Sequence, residues 1–312
     1  MSEQQNVKKE KQDSALKPII EISGLKKIYR LGKEKVLALD GINLTINRGE
    51  ICCLLGTSGS GKSTLLNMMA GLEKPTKGAV TIRGERIDKM SEKKLAIFRQ
   101  KYMGFVFQSY NLLPNLTALD NVGLPLAFRG LPKAIRNKRA RAILKNVGLG
   151  NRMKHKPTQM SGGQQQRVGI ARAFVGKPAI IFADEPTGNL DTKTTLEVMQ
   201  MMVEMSRENN QTLIIVTHDN EIAVYADKIY HIIDGKIDKE LTSEEIVQAE
   251  IASPVLSLSH NYPAAEMASA DNAAEKEEVA EENNTQAEAE MVKNENGAVK
   301  AISALEKTAA SE

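Results

Sequence analysis

Gly56-Thr57-Ser58-Gly59-Ser60-Gly61-Lys62-Ser63 is the stretch from which the rest of the chain can be read. Two glycines separated by four residues and followed by Lys and Ser let the backbone curl so that successive N–H groups point into one concavity. Before this loop, Ile51–Leu55 is a continuous apolar run of the length of a buried strand. After it, residues 63–72 have helical character. A helix that starts at an N–H cradle adds the positive end of its dipole to the same place. The segment therefore predicts strand, phosphate-binding loop and helix, which a merely flexible glycine turn would not need. Gly56, Ser58, Gly59 and Gly61 shape the cradle, and Lys62 reaches the outer phosphates of a nucleotide. Ser63, with Thr64 beside it, offers a hydroxyl to Mg²⁺, a hard cation that takes oxygen ligands.

Bulk properties bound what surrounds this loop. A chain of 312 residues with 41% hydrophobic content holds one large or two ordinary domains with a substantial core. Its two cysteines, Cys52 and Cys53, are adjacent within the strand before the loop, where successive side chains face opposite ways. They read as reduced core residues of a reducing compartment. No apolar stretch approaches the roughly 18 to 20 residues that span a bilayer, and the N-terminus lacks the apolar segment of a secretory signal. The expectation is a cytosolic protein whose work at a membrane, if any, needs a partner that supplies the transmembrane helices. Residues 261–312 carry 12 acids against four lysines, so a net charge of +3 conceals a basic body and an acidic tail.

Along the chain, the polar segment 1–17 is expected to be disordered. Residues 19–46 hold short Ile-, Leu- and Val-rich runs broken by Gly24, Gly32 and Gly41, which suggests a strand meander and a small β subdomain. Between 91 and 160 strand signals thin out, and segments punctuated by Pro114, Pro125 and Pro132 suggest a helical subdomain. Strand character returns at 179–184, 212–218 and 228–234, with helical segments at 193–209 and 220–226 between them, which implies a mostly parallel sheet. The domain is expected to end near residue 240, followed by a helix and then an Ala- and Glu-rich disordered tail. Methionines 199, 201, 202 and 205 read as the packing stripe of a helix, and the basic run 136–145 as a solvated helical face.

Residues 180–183 are apolar and deliver Asp184 and Glu185 to a strand end, where one carboxylate can hold Mg²⁺ and its neighbour can polarise an attacking water. Met160-Ser161-Gly162-Gly163-Gln164-Gln165-Gln166-Arg167 is a second anion cradle: a serine hydroxyl and exposed glycine N–H groups at the start of a helix. This stretch resembles the signature motif of ABC ATPases, with Met160 in place of the usual leucine, a volume-conserving exchange.

The resemblance covers roughly residues 18–240. It implies an α/β fold of the P-loop NTPase, ABC type: a mostly parallel core sheet with an antiparallel β subdomain and a helical subdomain. It also implies that Ser161, Gly162, Gly163 and Gln164 close over ATP bound to a second copy, so that two copies sandwich two MgATP molecules. By the same resemblance Gln108 touches the metal and its water, Asn189-Leu190-Asp191 is a loop by which the subunits sense each other, His218 contacts the γ phosphate, and Tyr29 stacks on adenine. The catalytic set is then Glu185, His218 and Gln108, and the metal set Ser63, Gln108 and Asp184. Residues 28–50 and 104–130 and the run Ala183-Asp184-Glu185-Pro186-Thr187-Gly188-Asn189-Leu190-Asp191 look like the group of macrolide exporters, lipoprotein-release ATPases and the cell-division ATPase. That group implies an ATPase at the cytoplasmic face of the membrane, coupled to an integral permease, in some members with an adaptor protein. The permease would dock on the helical segment after Gln108. An alternative is a non-transporting ATPase that switches cell-wall hydrolases through a membrane partner. No nucleic-acid partner is expected, because one Lys62 precedes one Ser161 with only a compact segment between them.

Overall fold

The computed structural model describes residues 17–32, 34–242 and 245. The N-terminal segment and the acidic tail expected to be disordered lie outside them, as does nearly all of the helix expected after residue 240. Among the described residues there are two sheets. Strands β1 (Pro18–Leu31), β2 (Glu34–Asn47), β4 (Lys77–Ile82) and β5 (Glu85–Arg86) form an antiparallel sheet in the order β2-β1-β4-β5. The second sheet runs β10-β9-β3-β8-β7-β6, built from β3 (Ile51–Leu55), β6 (Met103–Phe107), β7 (Ile180–Asp184), β8 (Thr212–Thr217), β9 (Lys228–Ile233) and β10 (Lys236–Thr242). It is parallel throughout except for β10, which returns antiparallel to β9.

The strands of the parallel sheet are covered on both faces, which is why their sequences are continuous apolar runs rather than alternations. All six residues of β8 are buried, as are four of the five in β3 and in β7. Cys52 and Cys53 divide as the strand geometry requires. Cys52 joins a core shared with the antiparallel sheet, α1 (Lys62–Met69) and α2 (Glu92–Tyr102). Cys53 joins the core on the other face, under α5 (Gly162–Phe174), α6 (Thr192–Glu208) and α7 (Asn220–Ala223). Both thiols are free and fully buried. Met199 and Met202 are buried in that second core and Met201 and Met205 pack against it, as the stripe on α6 implied. A third core fills the helical segment, between α3 (Ala118–Phe128), α4 (Lys133–Asn146) and the Val168 and Ala171 side of α5.

Three expectations change. The glycines at 24 and 41 do not break the first strands: β1 and β2 run for 14 residues each, and both glycines sit inside them at positive φ beside register shifts. They are bulges that bend a long hairpin, the other common use of an interior strand glycine. The helical subdomain is also shorter than 91–160, because β6 pairs with β7 at the edge of the parallel sheet and returns the chain to the core until Phe107. The boundary expected at residue 240 falls inside β10, whose Ile237 and Leu241 pack against the two cores of the sheet.

Candidate functional site

The parallel strands point their C-terminal ends at one rim, and the loops leaving β3, β7 and β8 meet there. The loop after β3 is the glycine cradle. Gly61 has φ +102, and a Cβ there would lie 2.6 Å from the Ala38 carbonyl oxygen. Gly56 has φ +158 and faces the Ile232 carbonyl as closely. The loop is therefore wedged between β2 and the end of β9, and only glycine fits at those two points. The β9–β10 turn closes the brace: the Gly235 N–H donates to the Ser60 carbonyl at 2.9 Å, and the Asp40 N–H to the Gly235 carbonyl at 2.9 Å.

Helix α1 opens at Gly61 with no side-chain cap, so the N–H groups of its first turn keep their capacity to bind an anion. Lys62 is buried, and its Nζ donates to the Thr57 carbonyl at 2.7 Å, turned inward over the loop. Burial lowers the Lys62 pKa, while the charges of Glu185 and Asp184 oppose that shift. Ser63 Oγ donates to Asp184 Oδ1 at 3.4 Å, so the hydroxyl after the cradle and the carboxylate at the end of β7 converge. Burial first, and then the Glu185 charge, hold the Asp184 carboxyl above its ordinary range. A hydroxyl beside a carboxylate that carries excess negative potential is a hard-oxygen donor set that fits Mg²⁺. Among the described residues no cluster of three His, Cys, Asp or Glu forms a dedicated metal cage.

Glu185 stands one residue beyond the strand with φ 43, a left-handed conformation that a non-glycine residue adopts at a cost. Its N–H donates to the Val216 carbonyl at 2.9 Å, which pins the turn. Its Oε1 lies 3.1 Å from His218 Nδ1, a hydrogen-bond distance. Glu185 lines two clefts at once. One, of about 360 Å³, is walled by Lys62, Ser63, Thr64 and the β2 residues Val36 to Ala38. The other, of about 260 Å³, holds His218, Thr187 and Gly188. Ser58, Gly59 and Gly61 line the first cleft.

The remaining expected residues are placed around this centre. Tyr29 pairs with Val36 across the β1–β2 hairpin, so its side chain shares a sheet face with a cleft-lining residue. Gln108 follows β6; its carbonyl accepts from Asn189 Nδ2 at 2.9 Å, and its side chain packs against Gly188. Ser161, Gly162, Gly163 and Gln164 do not line the Lys62 cleft. Ser161 caps α5 instead: its Oγ accepts from the Gln164 N–H at 3.3 Å, and Gln164 Oε1 accepts from the Ser161 N–H at 3.2 Å. A capping hydroxyl accepts with its lone pair and keeps its own proton to donate outward. Asp191 caps α6 in the same manner, accepting from Thr194.

Two residues of α5 with no expected role, Gln166 inside the signature-like stretch and Arg172 beyond it, tie these loops together. Gln166 is fully buried and its Nε2 donates to the Pro186 carbonyl, one residue beyond Glu185. The Arg172 guanidinium donates to the carbonyls of Asn111 and Tyr110 at 2.5 and 2.8 Å, and both of those residues hold left-handed backbone just after Gln108. A lone cation inside the apolar run Val168-Gly169-Ile170-Ala171-Arg172-Ala173-Phe174 was the available signal, since a half-buried guanidinium must find fixed acceptors. Val36, Leu37, Asp234 and Gly235 also line the Lys62 cleft without belonging to any motif.

Residues 39–188 match the family described as ABC transporter. The chain is 49% identical, over 72% of its length and 95% of the relative, to an uncharacterized ABC transporter ATP-binding protein of Thermotoga maritima. It is 44% identical to the lipoprotein-releasing system ATP-binding protein LolD of Alcanivorax borkumensis, over 70% of this chain and 96% of that one. Among solved structures it is similar to the dimeric post-hydrolysis state of the ATP-binding cassette MJ0796 bound to ADP and Pi. The TM-score there is 0.68, with 42% identity over 72% of this chain and 98% of that chain.

Proposed function

This chain belongs to the ABC transporter ATP-binding proteins, and from that premise we propose that its ATP hydrolysis runs in a face-to-face pair of copies and drives an integral membrane permease. The observation that carries the reading is the position of Glu185: it is the wall shared by the Lys62 cleft and the His218 cleft, held there by a strained backbone turn. In-line attack of water on a γ phosphate needs positioning and charge stabilisation more than covalent help. The uncapped amides of α1 and the Lys62 ammonium hold the phosphates. Glu185 takes the proton of the attacking water, and His218, hydrogen-bonded to it, fixes the direction of that carboxylate and meets the γ phosphate. Ser63 and Asp184 would hold Mg²⁺ between them, with Gln108 reaching its water; that ion supplies neutralisation of charge on the phosphates.

Ser161 and the first amides of α5 offer a second anion cradle away from the Lys62 cleft, which a second copy would bring over the same triphosphate. Beyond the motifs, an apolar cleft of about 270 Å³ lies between β6 and α3, lined by Phe105, Phe107, Pro125 and the exposed Phe128. It directly precedes Gln108, and we assign it to the cytoplasmic segment of the permease. No helix of the described residues is long and apolar enough to cross a membrane, which fits a peripheral subunit at the cytoplasmic face.

A disulfide assay tests the pairing, because the native thiols of Cys52 and Cys53 are fully buried. In a Glu185→Gln background, Ser58→Cys and Ser161→Cys variants are mixed. Cross-linking that appears only with ATP and Mg²⁺ supports the sandwich, and cross-linking that ignores nucleotide sinks it. Pull-down of the same Glu185→Gln protein from detergent-solubilised membranes with ATP then identifies a permease, alone or with an adaptor. Recovery of neither would refute the membrane partner.

A further inference from the structure

The Tyr29 ring is held by a polar cluster that the hydrolysis chemistry does not use. Tyr29 Oη donates to Glu73 Oε2 at 2.8 Å. Lys27 Nζ lies 3.0 Å from the same oxygen and 4.9 Å from the centroid of the Tyr29 ring, so one ring face carries an ammonium. Lys27 is itself fixed by donating to the Lys74 carbonyl at 3.0 Å. On the other carboxylate oxygen, Asn67 Nδ2 donates to Glu73 Oε1 at 3.3 Å. The Glu73 N–H in turn donates to the Asn67 carbonyl at 3.3 Å, so one residue of α1 holds Glu73 by both backbone and side chain. The Tyr29 phenol also comes within hydrogen-bonding reach of Thr64, in the first turn of α1; burial first, and then Glu73, keep that phenol a proton donor at neutral pH.

We propose that Glu73 is the positioning residue of the nucleotide-base site, holding the Tyr29 ring in register with the phosphate cradle through the helix that both share. The inference rests on the reading of Tyr29 as the base platform and adds to it how the platform is aimed. A planar base approaching the hairpin finds one Tyr29 face taken by Lys27 and receives the other. Because Glu73 is anchored on α1, whose first residues are Lys62, Ser63 and Thr64, the distance from the ring to the phosphate site is set by one rigid element.

Two effects then have separate sizes. Losing the ring removes base–aromatic stacking and weakens ATP binding about fivefold or more. Losing only its anchor leaves a tyrosine free among three staggered χ1 wells, so the stacking rotamer is populated about a third of the time and affinity falls about threefold.

The experiment is equilibrium titration of the full chain with ATP and, separately, with inorganic tripolyphosphate, which has the phosphates and no base. Glu73→Ala and Tyr29→Phe are each expected to weaken ATP about threefold with tripolyphosphate affinity unchanged. Glu73→Ala added to Tyr29→Ala is expected to cost nothing further, since the anchor then has nothing to hold. Should Glu73→Ala weaken tripolyphosphate as much as ATP, Glu73 is a structural support of the loop and the inference is overturned. Should Tyr29→Ala weaken ATP while both Glu73→Ala and Tyr29→Phe leave it intact, the anchor is refuted and the platform stands. If Tyr29→Ala itself leaves ATP affinity unchanged, the platform reading fails, which is a separate result. Where Glu73→Ala does not fold, Tyr29→Phe removes the same hydrogen bond and carries the test alone.

Discussion

Glu185→Gln changes one property of the site and leaves its shape alone. The amide has the volume of the carboxylate, and its oxygen can still accept from His218 Nδ1, now 3.1 Å from Glu185 Oε1. The Glu185 N–H bond to the Val216 carbonyl belongs to the backbone and is unaffected. What goes is the basicity that the proposed mechanism uses to take a proton from the attacking water. A positioned general base contributes about 10² to 10⁴ in rate, which is about 2.7 to 5.4 kcal/mol of barrier. The loss should fall on turnover, because the hydrogen bonds of Lys62 and of the Glu185 carboxylate go elsewhere, to the Thr57 carbonyl and to His218. The fold should not suffer either: Asp184 is held above its ordinary range partly by the Glu185 charge, so neutralising Glu185 relieves a like-charge repulsion. Phosphate release at saturating ATP, equilibrium titration with ATP and thermal melting measure the three consequences on the same sample. The expected result is a turnover loss of about 10² to 10⁴, ATP affinity unchanged and a melting temperature no lower than the parent's. Turnover within tenfold of the parent would remove Glu185 from the role of base. A turnover loss accompanied by a lower melting temperature would refute the argument that geometry is preserved.

Gly61→Ala and Gly59→Ala form a matched pair: both have positive φ, but a Cβ at Gly61 meets the Ala38 carbonyl at 2.6 Å while one at Gly59 meets nothing within 4 Å. Gly59→Ala should cost only the left-handed strain, about 1 to 2 kcal/mol, and Gly61→Ala about 1 to 3 kcal/mol more from overpacking, as read by chemical denaturation. Asp184→Asn should raise the melting temperature at pH 7 without Mg²⁺. The folded carboxyl is raised by burial and by Glu185, so its favourable contribution is complete below the ordinary carboxylate range and is lost as pH rises through the folded value; the gain over the parent should therefore vanish on acidification. Arg172→Lys replaces a two-carbonyl fork by a point donor and should lower stability by about 1.5 to 3 kcal/mol, seen as a shifted denaturant midpoint with unchanged slope.

The parts of this molecule that were legible in sequence are those whose partners are next to them along the chain. A buried parallel strand, a glycine turn and a helix occupy consecutive residues, so the stretch from Ile51 to Met69 could be read directly, and so could the delivery of Asp184 by four apolar residues. The division of Cys52 and Cys53 between two cores followed from strand alternation alone. Strand β6 was hidden because Met103-Gly104-Phe105-Val106-Phe107 is five residues long and follows helix α2 without a break, so a local window sees only the end of a helical segment. Its identity is decided by pairing with β7, more than seventy residues away. The fixed acceptors of Gln166 and Arg172 and the anchor at Glu73 were hidden for the same reason: each joins residues 20 to 62 positions apart. A periodicity can say that such a side chain is buried. It cannot say which carbonyl or carboxylate receives it.

Those long-range ties also determine what can move with what. The Lys62 loop is braced from one side, by Ala38 of β2 and by the β9–β10 turn at Gly235. The loops that follow β6 and β7 are braced from the other: Gln166 holds Pro186, Arg172 holds Tyr110 and Asn111, and Asn189 holds the Gln108 carbonyl. Helix α5, with Ser161 at its tip, is therefore fastened to the loops after β6 and β7, and Arg129 at the end of α3 adds bonds to the carbonyls of Gln100, Lys101 and Gly176. Near the chemistry the two sets of ties meet where Ser63 contacts Asp184, where Glu185 borders the Lys62 cleft and where the Glu185 N–H reaches Val216 of β8, the strand between β3 and β7. A change in the charge held between Lys62 and the two carboxylates acts on that contact. Packed elements shift as units rather than deform continuously, and the ties through Gln166, Arg172 and Asn189 join the helix that carries Ser161 and the loops after Phe107 and Asp184 into one such unit.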